Sequence, residues 1–122
     1  PARIMDTRAG MSTIDGQAQG AGALQGGGTA SLAVLNRGGV PASGVGAVVL
    51  NVTVTQPTSW GYLTAWPSGL PVPLASNLNF VANQTIPNLV IAKVGANGQV
   101  EFYNGSSGTT HVVVDVMGWF AE

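Results

Sequence analysis

The chain has no cysteine and very little charge. The lack of cysteine excludes thiolate zinc and iron–sulfur sites, a thiol nucleophile and a disulfide framework. Of its 122 residues only four are basic and five are acidic, so the formal net charge is −1. Arg3, Arg8, Arg37 and Lys93 are too few and too scattered to neutralise a row of phosphates, so we expect neither nucleic acid nor an anionic membrane as a partner. Apolar runs such as Ala47–Leu50 are far too short for membrane insertion.

Good helix formers are also scarce, whereas residues that end helices or favour strands are abundant. Eighteen glycines and seven prolines interrupt the chain too often for helices of normal length. Val, Ile and Thr are frequent, and such residues favour strands. We therefore expect an all-β fold over residues 1–122: a single-domain antiparallel β-sandwich of jelly-roll or immunoglobulin-like type, with about seven to nine short strands.

Period-two alternation places several of these strands. The segment 45–55 reads as a long strand with one fully apolar face, formed by Val48, Leu50, Val52 and Val54. The segment 60–66 is predicted to return beside it as a hairpin partner. In the C-terminal third, segments 89–94, 99–103 and 110–117 are predicted to form a three-stranded meander. Its first turn, Asn97-Gly98, is typical of a type I′ turn.

Six segments in a fixed order resemble a known module: Arg3–Arg8 (RIMDTR), Leu50–Thr55 (LNVTVT), Gly61–Pro67 (GYLTAWP), Ser76–Phe80 (SNLNF), Gln84–Asn88 (QTIPN) and His111–Phe120 (HVVVDVMGWF). The order is similar to that of a module common in secreted and surface proteins of actinobacteria, where it occurs in tandem or beside hydrolase domains. The resemblance implies an extracellular or cell-surface, non-catalytic β-module with neighbouring modules of the same chain as partners. It supplies no ligand. Some members carry a cysteine pair near the positions of Ser68 and Glu101.

Aromatic residues at even spacing suggest a binding surface. On a strand, Trp60, Tyr62 and Trp66 share one face. Flat rings stack on the apolar C–H faces of sugars, and nearby amides such as Asn77 and Asn79 can hydrogen-bond hydroxyl groups. These five residues are the predicted carbohydrate site. The alternative is that Tyr62 and Trp66 pack in the interior, because aromatic residues dominate sandwich cores.

The few charges inside predicted strands suggest a structural ion pair. We expect Asp6 or Asp115 to pair with Arg8 and so tie the first strand to the last, because a half-buried carboxylate needs such a partner. The alternative is a calcium site, since carboxylates together with amide oxygens suit a hard cation. No other metal and no cofactor is expected.

Catalytic signatures are weak. His111 is the only histidine, and Asp115 lies four residues further along the same strand face, about 13 Å away at the usual rise per residue. That separation does not suit a Ser–His–Asp triad, and the chain has no Gly-x-Ser-x-Gly sequence. We expect no enzyme activity.

Two functions remain open. The first is an extracellular binding module that anchors a larger secreted or surface protein to polysaccharide or cell-wall glycan. The second is a structural module, one unit of a stalk, an adhesin or a self-assembling fibre, with no small ligand. A row of exposed aromatic residues favours the first, and buried aromatic residues with complementary edge strands favour the second.

Overall fold

The computed structural model describes all 122 residues and contains eight β-strands and no helix. The strands are β1 (Ala2–Asp6), β2 (Thr29–Ala33), β3 (Val45–Thr55), β4 (Gly61–Pro67), β5 (Leu78–Phe80), β6 (Ile86–Lys93), β7 (Gln99–Asn104) and β8 (His111–Ala121). With no helix present, none is long and apolar enough to cross a membrane. The predicted all-β class and the strand number are confirmed.

The strands form two four-stranded antiparallel sheets. Sheet 1 has the order β1-β8-β3-β6, and sheet 2 has the order β2-β7-β4-β5. The pairs are nested along the chain, since β1 pairs with β8, β2 with β7, β3 with β6 and β4 with β5. This nesting is the jelly-roll arrangement rather than the immunoglobulin-like one.

Alternation along β3 and β8 builds the core. Val48, Leu50, Val52 and Val54 are buried on the inner face of sheet 1, as their spacing predicts, together with Val112, Val114 and Val116 from β8. They meet Leu32, Leu63, Val100 and Phe102 from sheet 2. The core therefore lies between the two sheets, and each sheet keeps an outer face on which a site can form.

The predicted C-terminal meander is wrong. β6 pairs with β3, β7 pairs with β2 and β4, and β8 pairs with β1 and β3, so these three successive strands alternate between the sheets. The turn at 97–98 is not of type I′, because only Gly98 has a positive φ, at 76°. Alternation shows which side chains face inward, but it does not show which strand lies alongside.

The predicted hairpin between the segments 45–55 and 60–66 is wrong for the same reason. β4 belongs to sheet 2 and pairs with β5 and β7. Gln56 has a φ of 57° and bends the chain away from sheet 1. The connector over 56–60 is then long enough to cover the spacing of about 10 Å between packed sheets.

A buried arginine fixes the long connection between β1 and β2. The guanidinium of Arg37 donates Nε and Nη2 hydrogen bonds of 2.8 and 2.9 Å to the two carboxylate oxygens of Asp15. It also donates to the carbonyl oxygens of Ile4 and Ala33. This contact lowers the pKa of Asp15 well below its usual range. The connection therefore lies against β1 and covers its free edge.

Candidate functional site

A loop lies over one end of the outer face of sheet 2. The loop 68–77 joins β4 to β5 and packs on outward-facing side chains of β4. Trp66 is only 7% exposed beneath it, and its indole Nε1 donates a 2.9 Å hydrogen bond to the carbonyl oxygen of Leu70. The prediction that Trp66 contacts a ligand is therefore wrong. Trp66 holds the loop in place, in agreement with the alternative of interior packing for this residue.

The other end of this face carries a shallow groove. Three adjoining hollows form it, and Tyr62 lines all three. The largest has a volume of about 320 Å³ and is bordered by Trp60, Tyr62, Tyr103 and the turn at 105–107. The other two extend toward the loop residues Val72–Ser76. We call this surface the aromatic groove.

Three aromatic rings define the aromatic groove. Trp60 immediately precedes β4 and is 77% exposed, the most exposed aromatic side chain of the groove. Tyr62 and Tyr103 stand on neighbouring strands with ring centroids 6.2 Å apart and planes tilted by 50°. The Tyr62 ring lies directly over Gly105, where an added Cβ would collide with it. A glycine at this position therefore lets the ring lie flat against the turn.

Polar groups border the rings. Asn79 lies directly opposite Tyr62 in the β4–β5 register and is exposed, and its Oδ1 accepts a 2.7 Å hydrogen bond from the Ser76 hydroxyl. Its amide nitrogen has no partner within the chain. The predicted role of Asn77 is different, because its Oδ1 accepts the backbone N–H of Ala65 at 2.8 Å. Asn77 therefore fixes the end of the loop.

The turn beside Trp60 is held from below by a buried asparagine. Asn104 is fully buried, and its Nδ2 donates to the carbonyl oxygens of Leu24 and Gly108 at 3.0 and 3.1 Å. Its Oδ1 accepts a 2.7 Å hydrogen bond from the Ser106 hydroxyl. The hydroxyl of Ser107 makes no hydrogen bond within the chain and is exposed at the groove. Three hydrogen bonds of the Asn104 side chain thus hold the groove wall, and a free hydroxyl lies at its rim.

Sequence reasoning missed Tyr103 and the contribution of loop 68–77. Tyr103 alternates with the buried Phe102, so its outward direction was visible in the sequence. Its place beside Tyr62 depends on the pairing of β4 with β7, which the predicted meander excluded. No sequence signal indicates that Pro73 and Leu74 return to border the same groove.

The predicted ion pair lies at the other sheet, where Asp6 rather than Asp115 is the partner of Arg8. Asp6 is fully buried, and its two carboxylate oxygens accept hydrogen bonds of 3.0 and 2.8 Å from Nε and Nη2 of Arg8. These contacts lower the pKa of Asp6. The predicted pair of Asp6 with Arg8 is therefore present, but it does not tie the first strand to the last, because Asp6 ends β1 and Arg8 follows it by two residues. Asp115 accepts a 2.9 Å hydrogen bond from Nε of Arg3 instead. The contact between Arg3 and Asp115 is the one that joins the first strand to the last.

The carboxylates predicted as alternative calcium ligands are thus both committed to arginines. Nowhere in the chain do three or more His, Asp or Glu side chains come together in a way that could hold a metal ion. His111 contacts the Thr7 hydroxyl through Nδ1 at 2.9 Å, and the geometry brings no carboxylate to that ring.

Comparison of the chain with protein-family models, with curated proteins and with solved structures finds no match. The strand order defines a jelly-roll sandwich, and the aromatic groove lies on the outer face of its sheet 2. The chemistry of that groove supports the functional proposal.

Proposed function

We propose that the chain is a non-catalytic, extracellular carbohydrate-binding module that anchors a larger secreted or surface protein to polysaccharide or cell-wall glycan. The observation that supports this most strongly is the convergence of Trp60, Tyr62 and Tyr103 on one open groove. A large indole left mostly in water beside two tyrosine rings contributes little to the stability of an isolated domain. Such a group of exposed rings is typical of a binding surface.

The chemistry of the groove suits a neutral sugar chain. Its lining consists of aromatic, aliphatic and hydroxyl-bearing residues, and no charged side chain is among them. The rings offer flat apolar surface to the C–H faces of pyranose rings. Each stacked ring buries apolar area worth about 1–3 kcal/mol at roughly 25 cal/mol per Å². The phenol hydroxyls, the Ser107 hydroxyl and the free Asn79 amide can bind sugar hydroxyls.

The openness of the groove also favours a polymer over a small molecule. Pockets for small ligands enclose most of the ligand surface. Here the rings are arranged along a surface open to solvent, and Trp60 stands at one end of it while loop residues Pro73 and Leu74 stand at the other. A chain of linked sugars can cross such a surface and continue beyond it at both ends.

Retention on insoluble polysaccharides tests this proposal. The wild-type chain is incubated with cellulose, chitin, β-glucan and peptidoglycan, and the bound fraction is measured. We expect retention on at least one of them and a loss of about tenfold or more for Trp60→Ala, which corresponds to roughly 1.4 kcal/mol. Trp60→Ala should leave the melting temperature almost unchanged, because exposed side chains contribute little to stability.

The chain contains a matched control. Trp119 is also an exposed tryptophan, but it lies on β8 of sheet 1, whereas the aromatic groove lies on the outer face of sheet 2. Trp119→Ala should retain polysaccharide as well as the wild type does. Equal losses for Trp60→Ala and Trp119→Ala would show nonspecific adsorption, and no retention on any polysaccharide would contradict the proposal.

A further inference from the structure

The edge strand β6 of sheet 1 presents unpaired backbone groups together with apolar side chains. In the β3–β6 register, Val94 donates its N–H to the carbonyl of Gly46, which fixes the even-numbered residues of β6 as those bonded to β3. The N–H and C=O groups of Leu89 and Ile91 therefore point away from the sheet and have no partner in the chain. The side chains of Leu89 and Ile91 are 60% and 61% exposed.

The other three sheet edges differ from β6. β5 has only three residues. The free edge of β1 is covered by the following connection, since Ile14 and Gly20 donate backbone hydrogen bonds to Arg3 and Asp6. β2 is open, but its outward residues are polar or small, Thr29, Ser31 and Ala33. β6 is thus the longest edge and the one that combines free backbone groups with large apolar side chains.

The free edge of β6 is complementary to itself. A second copy related by a two-fold axis at Val90 places Leu89 opposite Ile91 of the other copy, and each such pair can exchange both N–H···O bonds. The same register places Pro87 opposite Lys93. The missing N–H of Pro87 then costs only one bond at each end, and the two lysines lie at opposite ends of the new contact. Shifting the register by two residues loses an end pair and brings Lys93 against Leu89 in one direction or Pro87 against Ile91 in the other.

We propose that two copies of this chain associate through antiparallel pairing of their β6 strands, centred on Val90. The result is a continuous eight-stranded sheet with the strand order β1-β8-β3-β6-β6-β3-β8-β1. Its outer face carries the cross-strand pairs of Leu89 with Ile91, next to Val49 of the neighbouring strand β3. We infer a second copy of the chain as the partner because β6 itself supplies both members of each apolar pair and keeps the two Lys93 side chains apart.

Such a dimer would display two aromatic grooves. β6 belongs to sheet 1, whereas the groove lies on the outer face of sheet 2, so no residue of β6 lines the groove. The association does not depend on the proposed sugar binding, and each can fail without the other.

Sedimentation equilibrium over a wide range of protein concentrations tests the association. We expect a reversible equilibrium between monomer and dimer for the wild type. Ile91→Lys should be monomeric at every concentration, because it places a charge in the apolar pair while leaving the monomer fold intact. Leu89→Lys is a second variant with the same expected result. Ile14→Lys is the matched control. Ile14 is 63% exposed and lies beside β1, at the edge of sheet 1 opposite to β6, so its substitution should leave the dimer unchanged.

Cross-linking tests the register, which is simple in a chain without cysteine. A mixture of Leu89→Cys and Ile91→Cys chains should form a disulfide on mild oxidation, and should do so more readily than either chain alone. The proposal would be overturned by any of three results: a wild type that is monomeric at all concentrations, an open-ended series of larger assemblies, or an Ile91→Lys variant that still forms dimers. Preferential cross-linking of one variant with itself would overturn the register.

Discussion

Removal of Arg8 should destabilise the fold more than removal of any other exposed charge, and the effect should depend on pH. The Asp6 carboxylate is fully buried and accepts three hydrogen bonds from Arg8, from the backbone N–H at 3.1 Å, from Nε at 3.0 Å and from Nη2 at 2.8 Å. Arg8→Ala deletes both side-chain bonds and leaves only Arg3, 3.6 Å away, as a charged partner. Loss of one partner of a buried pair costs about 3–5 kcal/mol.

The sign of the pH dependence follows from the pKa of Asp6. In the wild type the hydrogen bonds from Arg8 hold this pKa below 3.8, so the stability they supply is present above that pH and is lost as the pH falls further. Without Arg8, burial favours the protonated carboxyl and raises the pKa. Asp6 then protonates in the folded variant at higher pH, which removes the buried charge. The deficit of Arg8→Ala should therefore shrink between pH 7 and pH 4.

Urea denaturation at several pH values measures this deficit, and thermal melts provide a second readout. At pH 7 the melting temperature should fall by on the order of 10–20 °C. Arg3→Ala is the comparison: Arg3 is partly exposed, pairs with the partly exposed Asp115, and lies 3.6 Å from Asp6 without a hydrogen bond to it, so its loss should cost only about 1 kcal/mol. An Arg8→Ala deficit equal to that of Arg3→Ala, or one that does not vary with pH, would refute the account of Asp6.

Three further outcomes follow from the structure. Trp66→Ala should lower the free energy of unfolding by about 3–5 kcal/mol, because a buried indole and its bond to Leu70 are lost, and should expose loop 68–77 to proteases. Gly105→Ala should displace the Tyr62 ring and reduce polysaccharide retention severalfold, with a smaller change in melting temperature, as parallel retention assays and melts would show. Asp15→Asn should lower the free energy of unfolding in urea at pH 7 by about 1.5–3 kcal/mol, since Arg37 loses its charged partner but keeps its carbonyl contacts. This loss should diminish in acid, because the pKa of Asp15 is lowered in the folded chain.

The sequence was sufficient for the fold class and for the inward faces, but not for the strand neighbours. Alternation in Val48–Val54 and in Val112–Val116 reports which side chains leave water, and both sets are buried. Alternation carries no information about the partner strand. In a jelly roll the partners are distant along the chain, as in the pairing of Arg3 with Asp115, so predictions based on neighbouring segments fail.

The same limit explains the candidate site. Even spacing placed Trp60, Tyr62 and Trp66 on one face of β4, but only the position of loop 68–77 decides that Trp66 is covered and Trp60 is not. Tyr103 joins the groove through the β4–β7 register, and that register brings together residues about forty positions apart. Local patterns cannot reveal either fact, because both depend on long-range packing.

The proposed binding of sugar at the aromatic groove can be tested directly through the three tryptophans. In ¹⁵N-labelled protein, each indole N–H gives one NMR signal, assigned by substitution of each tryptophan with phenylalanine. On titration with soluble fragments of a retained polysaccharide, we predict a large shift of the Trp60 signal, a small one for the covered Trp66 and none for Trp119. A titration in which the Trp119 signal moves while that of Trp60 stays fixed would contradict the claim.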